Sequence, residues 1–88
     1  LDPCRPNPFN PSTIIPYRVA RGGEGKLRIY DVGGRLVATL VDGVVAAGAH
    51  EARWGGRTGD GREAASGIYF VRLDLPGFMQ VRQMALVR

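Results

Sequence analysis

The side chains best able to do chemistry in this chain are one histidine, His50, one cysteine, Cys4, and two loop carboxylates, Asp60 and Glu63. A catalytic histidine needs a nucleophile to activate or a proton acceptor to orient it. His50 has no sequence-local partner, and it falls on the inward parity of its segment, so it reads as a packed, structural histidine. One thiol and one imidazole cannot assemble a metal site, and a single cysteine excludes an internal disulfide. Cys4 reads as an unpaired thiol near the start of the chain. Ser12 and Ser66 each lie beside a turn without a nucleophile-elbow pattern around them. Asp60 and Glu63 sit in a glycine-rich loop, the setting of solvated carboxylates. Gly33-Gly34 and Gly55-Gly56 lack the strand-loop-helix context of a phosphate cradle. The expectation is a domain that is not an enzyme, with no cofactor, no metal and no small-molecule substrate.

Such a chain must be explained by its scaffold. Eighty-eight residues enclose one core, and thirteen glycines and six prolines argue against helices. No run approaches the roughly 20 apolar residues of a spanning helix. The chain starts at Leu1 without a signal-peptide pattern, so it is expected to travel behind an upstream domain. Its net charge is +4, and eleven of its twelve basic residues are arginine. Arg5, Arg18, Arg28, Arg35, Arg53, Arg62, Arg72 and Arg82 are spread about one per strand or turn. That spacing fits solvated sheet faces and not the clustered footprint of nucleic-acid binding.

Period-two alternation places the elements. In Gly67–Leu75, Tyr69, Val71, Leu73 and Leu75 share one face while Arg72 and Asp74 share the other, which is a half-buried strand. Thr13–Val19 turns Ile15, Tyr17 and Val19 inward, and Pro16 restricts it to a sheet edge or a solvent-facing N–H. Residues 21–25 read as a turn, followed by Lys26–Asp31 with Leu27 and Ile29 inward. Asp31-Val32-Gly33-Gly34 has hairpin chemistry and leads into Arg35–Val41, apolar on both parities, which Asp42-Gly43 closes. Ala49–Trp54 faces His50, Ala52 and Trp54 inward, and residues 55–65 form a loop. Pro76-Gly77 turns the chain into Phe78–Val87, where Val81 and Met84 have opposite parity; a bulge near Gln83 or burial on both faces reconciles them. Ahead of these strands, residues 1–12 carry four prolines and form a stiff, extended lead that Phe9 docks onto the body. The fold class is all-β, an antiparallel sandwich of about seven short strands.

The Gly67-Ile68-Tyr69 opening is similar to the tyrosine corner of immunoglobulin-like sandwiches, in which the hydroxyl returns to nearby backbone; a well-packed tyrosine of any sheet fits the same residues. Longer stretches carry a closer likeness. PNPFNPST at Pro6–Thr13, YDVGGRLVATLVDG at Tyr30–Gly43, GAHEARWGGRTGDGR at Gly48–Arg62, ASGIYFVRL at Ala65–Leu73 and the closing QMALVR resemble the C-terminal sorting domain of type IX secretion cargo proteins. The same pattern shades into the immunoglobulin-like domain of the flagellar hook-capping protein. The residues carrying the likeness are Pro8, Phe9, Asn10, Pro11, Tyr17, Asp31, Gly34, Arg35, Trp54, Gly67 and Tyr69. Two positions depart from it: Gly55 replaces the usual aspartate after the tryptophan, and Gln83 the usual lysine before the methionine.

The resemblance implies residues 1–5 as a linker to an upstream cargo domain and residues 6–88 as an Ig-like sorting domain. It implies a periplasmic intermediate, recognition by the outer-membrane translocon, removal by a surface sortase, and a cargo that ends at the cell surface or outside the cell. On this reading Val81, Arg82, Met84, Leu86 and Arg88 are the residues the translocon recognises, on a strand edge suited to strand addition. The same strand also reads as one that only closes the sandwich. Two other functions fit the fold: a structural domain of hook-cap type, and a carbohydrate-binding module using Tyr30, Phe70 and Phe78.

Overall fold

The alternating segments become six strands in the computed structural model, which describes residues Leu1–Arg88. They are β1 (Thr13–Val19), β2 (Gly23–Asp31), β3 (Leu36–Val45), β4 (Gly48–Trp54), β5 (Gly67–Leu75) and β6 (Phe78–Leu86). β1 and β4 pair in a two-stranded sheet, and β3-β2-β5-β6 form a four-stranded one. Every pairing is antiparallel. The two sheets make an Ig-like sandwich whose core takes Ile15, Tyr17, Val19 and Trp54 from one layer and Leu27, Ile29, Tyr69, Val71, Leu73, Met84 and Leu86 from the other. The parities read for β1, β2 and β5 hold. Pro16 lies in a strand whose only ladder is with β4, as its missing donor requires.

Four local readings change. β2 begins at Gly23, so the turn shrinks to the residues around Ala20–Gly22. Gly25 stays in the strand because a Cβ there would meet Leu75 Cδ2 at 2.9 Å and Val45 Cγ2 at 3.0 Å. Asp42-Gly43 does not close β3. Gly43 pairs opposite Gly25, the strand runs on to a buried Val45, and the turn chemistry is overridden by this pairing. The irregularities of register fall in the β2–β3 ladder, between Leu27 and Arg28 and between Ile29 and Tyr30. β6 has no bulge: it pairs regularly with β5 throughout, burying Met84 and leaving Val81 exposed on the opposite parity.

The lead accounts for the expected seventh strand. Asp2 N donates to Pro16 O at 3.0 Å, Arg5 and Ile14 exchange bonds of 3.0 and 2.8 Å, and Cys4 is buried between them. Thr13 Oγ1 then bonds Pro6 O at 2.8 Å. Three residues further on, Phe9 bridges in parallel to Leu86 of β6. The segment thus starts along the small sheet and finishes along the large one, making isolated bridges and not a continuous strand. Leu1–Arg5 is packed on the domain, with Cys4 in its core. Its thiol sits 4.0 Å from Met84 Sδ, and burial raises its pKa above the usual thiol value, against a smaller pull from Arg82.

Phe9 is 1% exposed, its ring centroid 5.6 Å from that of Trp54. Phe9→Ala is expected to lower stability by about 3–5 kcal/mol in urea unfolding. A loss below about 1 kcal/mol would show that the lead is an appendage and not core.

Candidate functional site

β6 is the edge of the four-stranded sheet, and its alternation divides the five residues expected to be recognised. Met84 and Leu86 are each 1% exposed and belong to the core, so neither side chain is available to a partner. Arg88 folds back under the loop after Trp54. Its Nε donates to Ala64 O at 2.6 Å, its Nη1 meets Glu63 Oε2 at 2.9 Å, its Nη2 donates to Gly56 O, and its backbone N–H reaches Ser66 Oγ at 3.0 Å. Only Val81 and Arg82 remain at the surface, with Arg82 Nε on Leu1 O at 3.1 Å. The five residues therefore do not form one surface. Two pack the core, one fastens a loop, and two are open.

The outer edge of β6 is also divided. Phe9 N donates to Ala85 O at 2.9 Å, and Val87 N donates to Phe9 O at 2.9 Å. The Asn7 side chain imitates a further peptide unit, accepting from Ala85 N at 2.9 Å and donating to Gln83 O at 3.4 Å. The half from Gln83 to Val87 is thus covered by the proline lead. The half around Met79 and Val81, with side chains 55% and 46% exposed, is uncovered.

The loop between β4 and β5 is fastened at both ends by aromatic side chains. Trp54 Nε1 donates to Arg57 O at 2.9 Å, and Tyr69 Oη donates to Ala65 O at 2.6 Å, the geometry of a tyrosine corner. Trp54 and Tyr69 meet edge-on with centroids 5.1 Å apart. Burial raises the Tyr69 pKa, and the charge of Asp31 adds to it. At the loop's tightest point Gly56 has φ +71, and a Cβ would approach Pro11 O to 2.9 Å, so lead, loop and last strand converge there. At the tip, Thr58 Oγ1 donates to Asp60 Oδ1 and Arg62 Nε to Asp60 Oδ2 at 3.0 Å. These bonds, that from Thr58 first, pull the Asp60 carboxyl down to about 2.

Beside this loop, opposite Tyr69, the Asp31 carboxylate accepts from Gly33 N and Arg35 N, each at 2.9 Å, and Gly34 N closes the turn on Asp31 O at 3.0 Å. Arg35 Nε lies 3.3 Å from Asp31 Oδ2. The carboxyl sits below its ordinary pKa, chiefly through the Arg35 N–H. Pro8, Asn10 and Pro11 are exposed along the lead, and Gly67 opens β5.

His50 is half-buried, stacked on Tyr17 at 5.2 Å, with Nε2 2.7 Å from Ala46 O, a packing role and not a catalytic arrangement. No group of three or more His, Cys, Asp or Glu converges. Tyr30 and Phe70 are cross-strand neighbours on the outer face of the large sheet, but Phe78 lies on the other parity beside Arg18 and Pro76. The three aromatics therefore do not make one platform for a sugar chain. On the same outer face Arg28 Nη2 and Arg72 Nε share Asp74 Oδ2, at 3.1 and 2.9 Å. Burial would raise the Asp74 carboxyl, and the two arginines outweigh it and hold it below the ordinary range.

Sequence reasoning missed the anchoring role of Arg88, the need for glycine at 56, and the polar bracket of Asn7. Proline content hid the lead's pairing, since proline-rich segments show no period. Nothing in the local sequence links Arg88 to a loop some twenty-five residues earlier.

A family model described as the FlgD Ig-like domain matches residues 14–75. Comparison with curated proteins finds no match. Among solved structures, one is similar over 97% of this chain and 11% of its own length, with a TM-score of 0.65 and 24% identity. It is PorZ, described as an essential bacterial surface component of the type-IX secretion system of human oral-microbiomic Porphyromonas gingivalis. This chain spans about a tenth of that protein, and the likeness establishes the fold.

Arg88→Met keeps the side-chain stem and removes the bonds to Gly56 O and Ala64 O. It is expected to cost about 1–3 kcal/mol and to speed amide exchange across residues 55–66. Unchanged exchange there would show that the loop holds itself. For Asp60, a folded pKa depressed from 3.8 to about 2 means that its contribution is complete above 3.8 and lost as pH falls through 2. Carboxyl NMR should give a midpoint near 2, moving upward in Thr58→Ala.

Proposed function

The chain belongs to the FlgD Ig-like domain family, and from that premise we propose that it is a non-catalytic sorting domain of the type IX kind. It directs an upstream cargo across the outer membrane and is read as an address rather than acting as a catalyst. One observation carries this reading. The family match stops short of residues 1–13 and 76–88, and these are the two segments that hydrogen-bond to each other, through Asn7 and Phe9 on one side and Ala85 and Val87 on the other. The proline lead and the last strand thus form one hydrogen-bonded unit outside the matched span, and both also pack the core. The likeness of PNPFNPST and QMALVR to sorting domains falls within that unit. The similarity to PorZ, a surface component of the same secretion system, supports the setting. On this reading the partners are the translocon, a surface sortase and the upstream cargo, and the route runs through the periplasm to the cell surface.

The family match itself favours a second reading, a structural domain in an assembly of hook-cap type. The two separate in one experiment. Residues 1–88 are fused behind a periplasm-directed fluorescent protein in a bacterium with a type IX system. Surface exposure of the fusion is expected, and the same fusion in a strain without the translocon should stay inside. Periplasmic retention of a folded fusion in both strains would reject sorting and leave the assembly reading ahead. Point variants serve better than truncation, because Val81–Arg88 contains the core residues Met84 and Leu86.

A further inference from the structure

The free half of the β6 edge can be assigned a kind of partner. In an antiparallel pair, successive residues alternate between facing the neighbouring strand and facing away. Ala85 N, Ala85 O and Val87 N point away from β5, toward Asn7 and Phe9. The same alternation turns the N–H and C=O of Met79 and Val81 outward, where no hydrogen bond from the lead reaches them, Leu1 lying instead on the Gln80 and Arg82 side chains. Their side chains are exposed, Met79 beside Asp74 and Val81 beside Arg72 on the outer face. From Phe78 to Arg88 there is no acidic residue. Arg82, exposed next to this edge, has only the Leu1 carbonyl and no carboxylate within ion-pair distance.

The covered half is not available by simple displacement. Removing the lead takes Phe9 out of the core, and at the loss given for Phe9→Ala that opening is populated in fewer than about one molecule in a hundred. An incoming strand therefore meets a short edge, open at Met79 and Val81 and stopped at Gln83 by the Asn7 amide.

We propose that a short extended segment of a partner protein adds to β6 at Met79–Val81 as a fifth strand, with apolar side chains flanking Met79 and Val81 and a carboxylate flanking Arg82. This rests on the sorting reading and narrows it, placing recognition on three residues ahead of the terminal motif. A second copy of this chain does not meet the requirement. Pairing β6 with itself about Val81 would set arginine-bearing edges together and run Gly77 of each copy into the Asn7-capped stretch of the other.

The test uses the secretion fusion, with wild type as the control of the underlying reading. Val81→Pro removes an outward donor without touching the β5 ladder, and edge prolines are tolerated. It is expected to cut surface exposure at least about tenfold, the size of one lost main-chain bond plus a steric block. Val81→Thr, with the backbone intact, should lose less than Val81→Pro, and Val44→Thr, exposed on β3 at the opposite edge of the sheet, should stay within about threefold of wild type. Arg82→Glu should reduce exposure about as much as Val81→Pro, and Arg82→Lys should not. Circular dichroism melts establish folding of each variant, and if Val81→Pro does not fold the Arg82 pair carries the decision. A folded Val81→Pro exposed like wild type, a Val81→Thr as defective as Val81→Pro, or an Arg82→Glu equal to Arg82→Lys overturns the proposal. Retention of the wild-type fusion overturns the sorting reading itself, and this proposal with it.

Discussion

The contact on which the rest of this molecule depends is the aromatic file Phe9–Trp54–Tyr69. It takes one ring from the lead, one from the small sheet and one from the large sheet, so a single run of edge and tilted contacts joins all three parts. Two of the rings have a polar end, and each spends it on the same loop, Trp54 on Arg57 O and Tyr69 on Ala65 O. Aromatic pairs of this kind contribute beyond the area they bury, and their buried polar groups must find partners. The loop's conformation follows from that demand. Arg88 completes it from below, meeting carbonyls of Gly56 and Ala64 that the aromatic side chains leave open.

A two-stranded sheet is marginal by itself, and β1–β4 needs a partner layer and a further edge contact. The lead supplies the edge contact at Arg5–Ile14 and then crosses to β6, where it covers an edge that would otherwise offer a continuous row of peptide groups. The β4 edge carries charge instead. β4 presents Glu51 and Arg53 outward, both exposed, which discourages chance pairing. Large apolar side chains are left in water at both edges of the four-stranded sheet, Leu36 and Val44 on β3 and Phe78, Met79 and Val81 on β6. The net positive charge follows the same logic, because its ion pairs are at the surface and contribute little to stability but govern which partners approach.

Much of this was legible in the sequence where the local signal and the global fold agree. Tyr69 announced its corner through Gly67 and the alternation of Val71 and Leu73, and Asp31 announced its turn through the glycines that follow. What failed did so for identifiable reasons. Asp42-Gly43 has the chemistry of a turn, yet Gly25 across the ladder and Val45 beyond it hold the segment extended. Val81 and Met84 suggested a bulge only because both are apolar; exposure of Val81 removes the conflict without any irregularity. Met84 and Leu86 resembled recognition residues because they close the chain, whereas their burial follows from facing Cys4 and the aromatic file. Cys4, Asn7 and Arg88 act through contacts about eighty and twenty-five residues away, and no window on the sequence spans such distances.

The crossing of the lead between sheets has a mechanical side. Tension delivered at Leu1 arrives first at the bond to its carbonyl from Arg82 on β6, then at the bond from Asp2 to Pro16 and the exchanged pair of Arg5 and Ile14 on the small sheet. Only when these part does the load reach Phe9 and its two bonds to β6. The domain is therefore harnessed in series, with a small set of hydrogen bonds to yield before the hydrophobic plug takes strain. A pull on Leu1 would loosen these polar ties one after another while the last strand, held by Phe9 and by its ladder with β5, kept its shape.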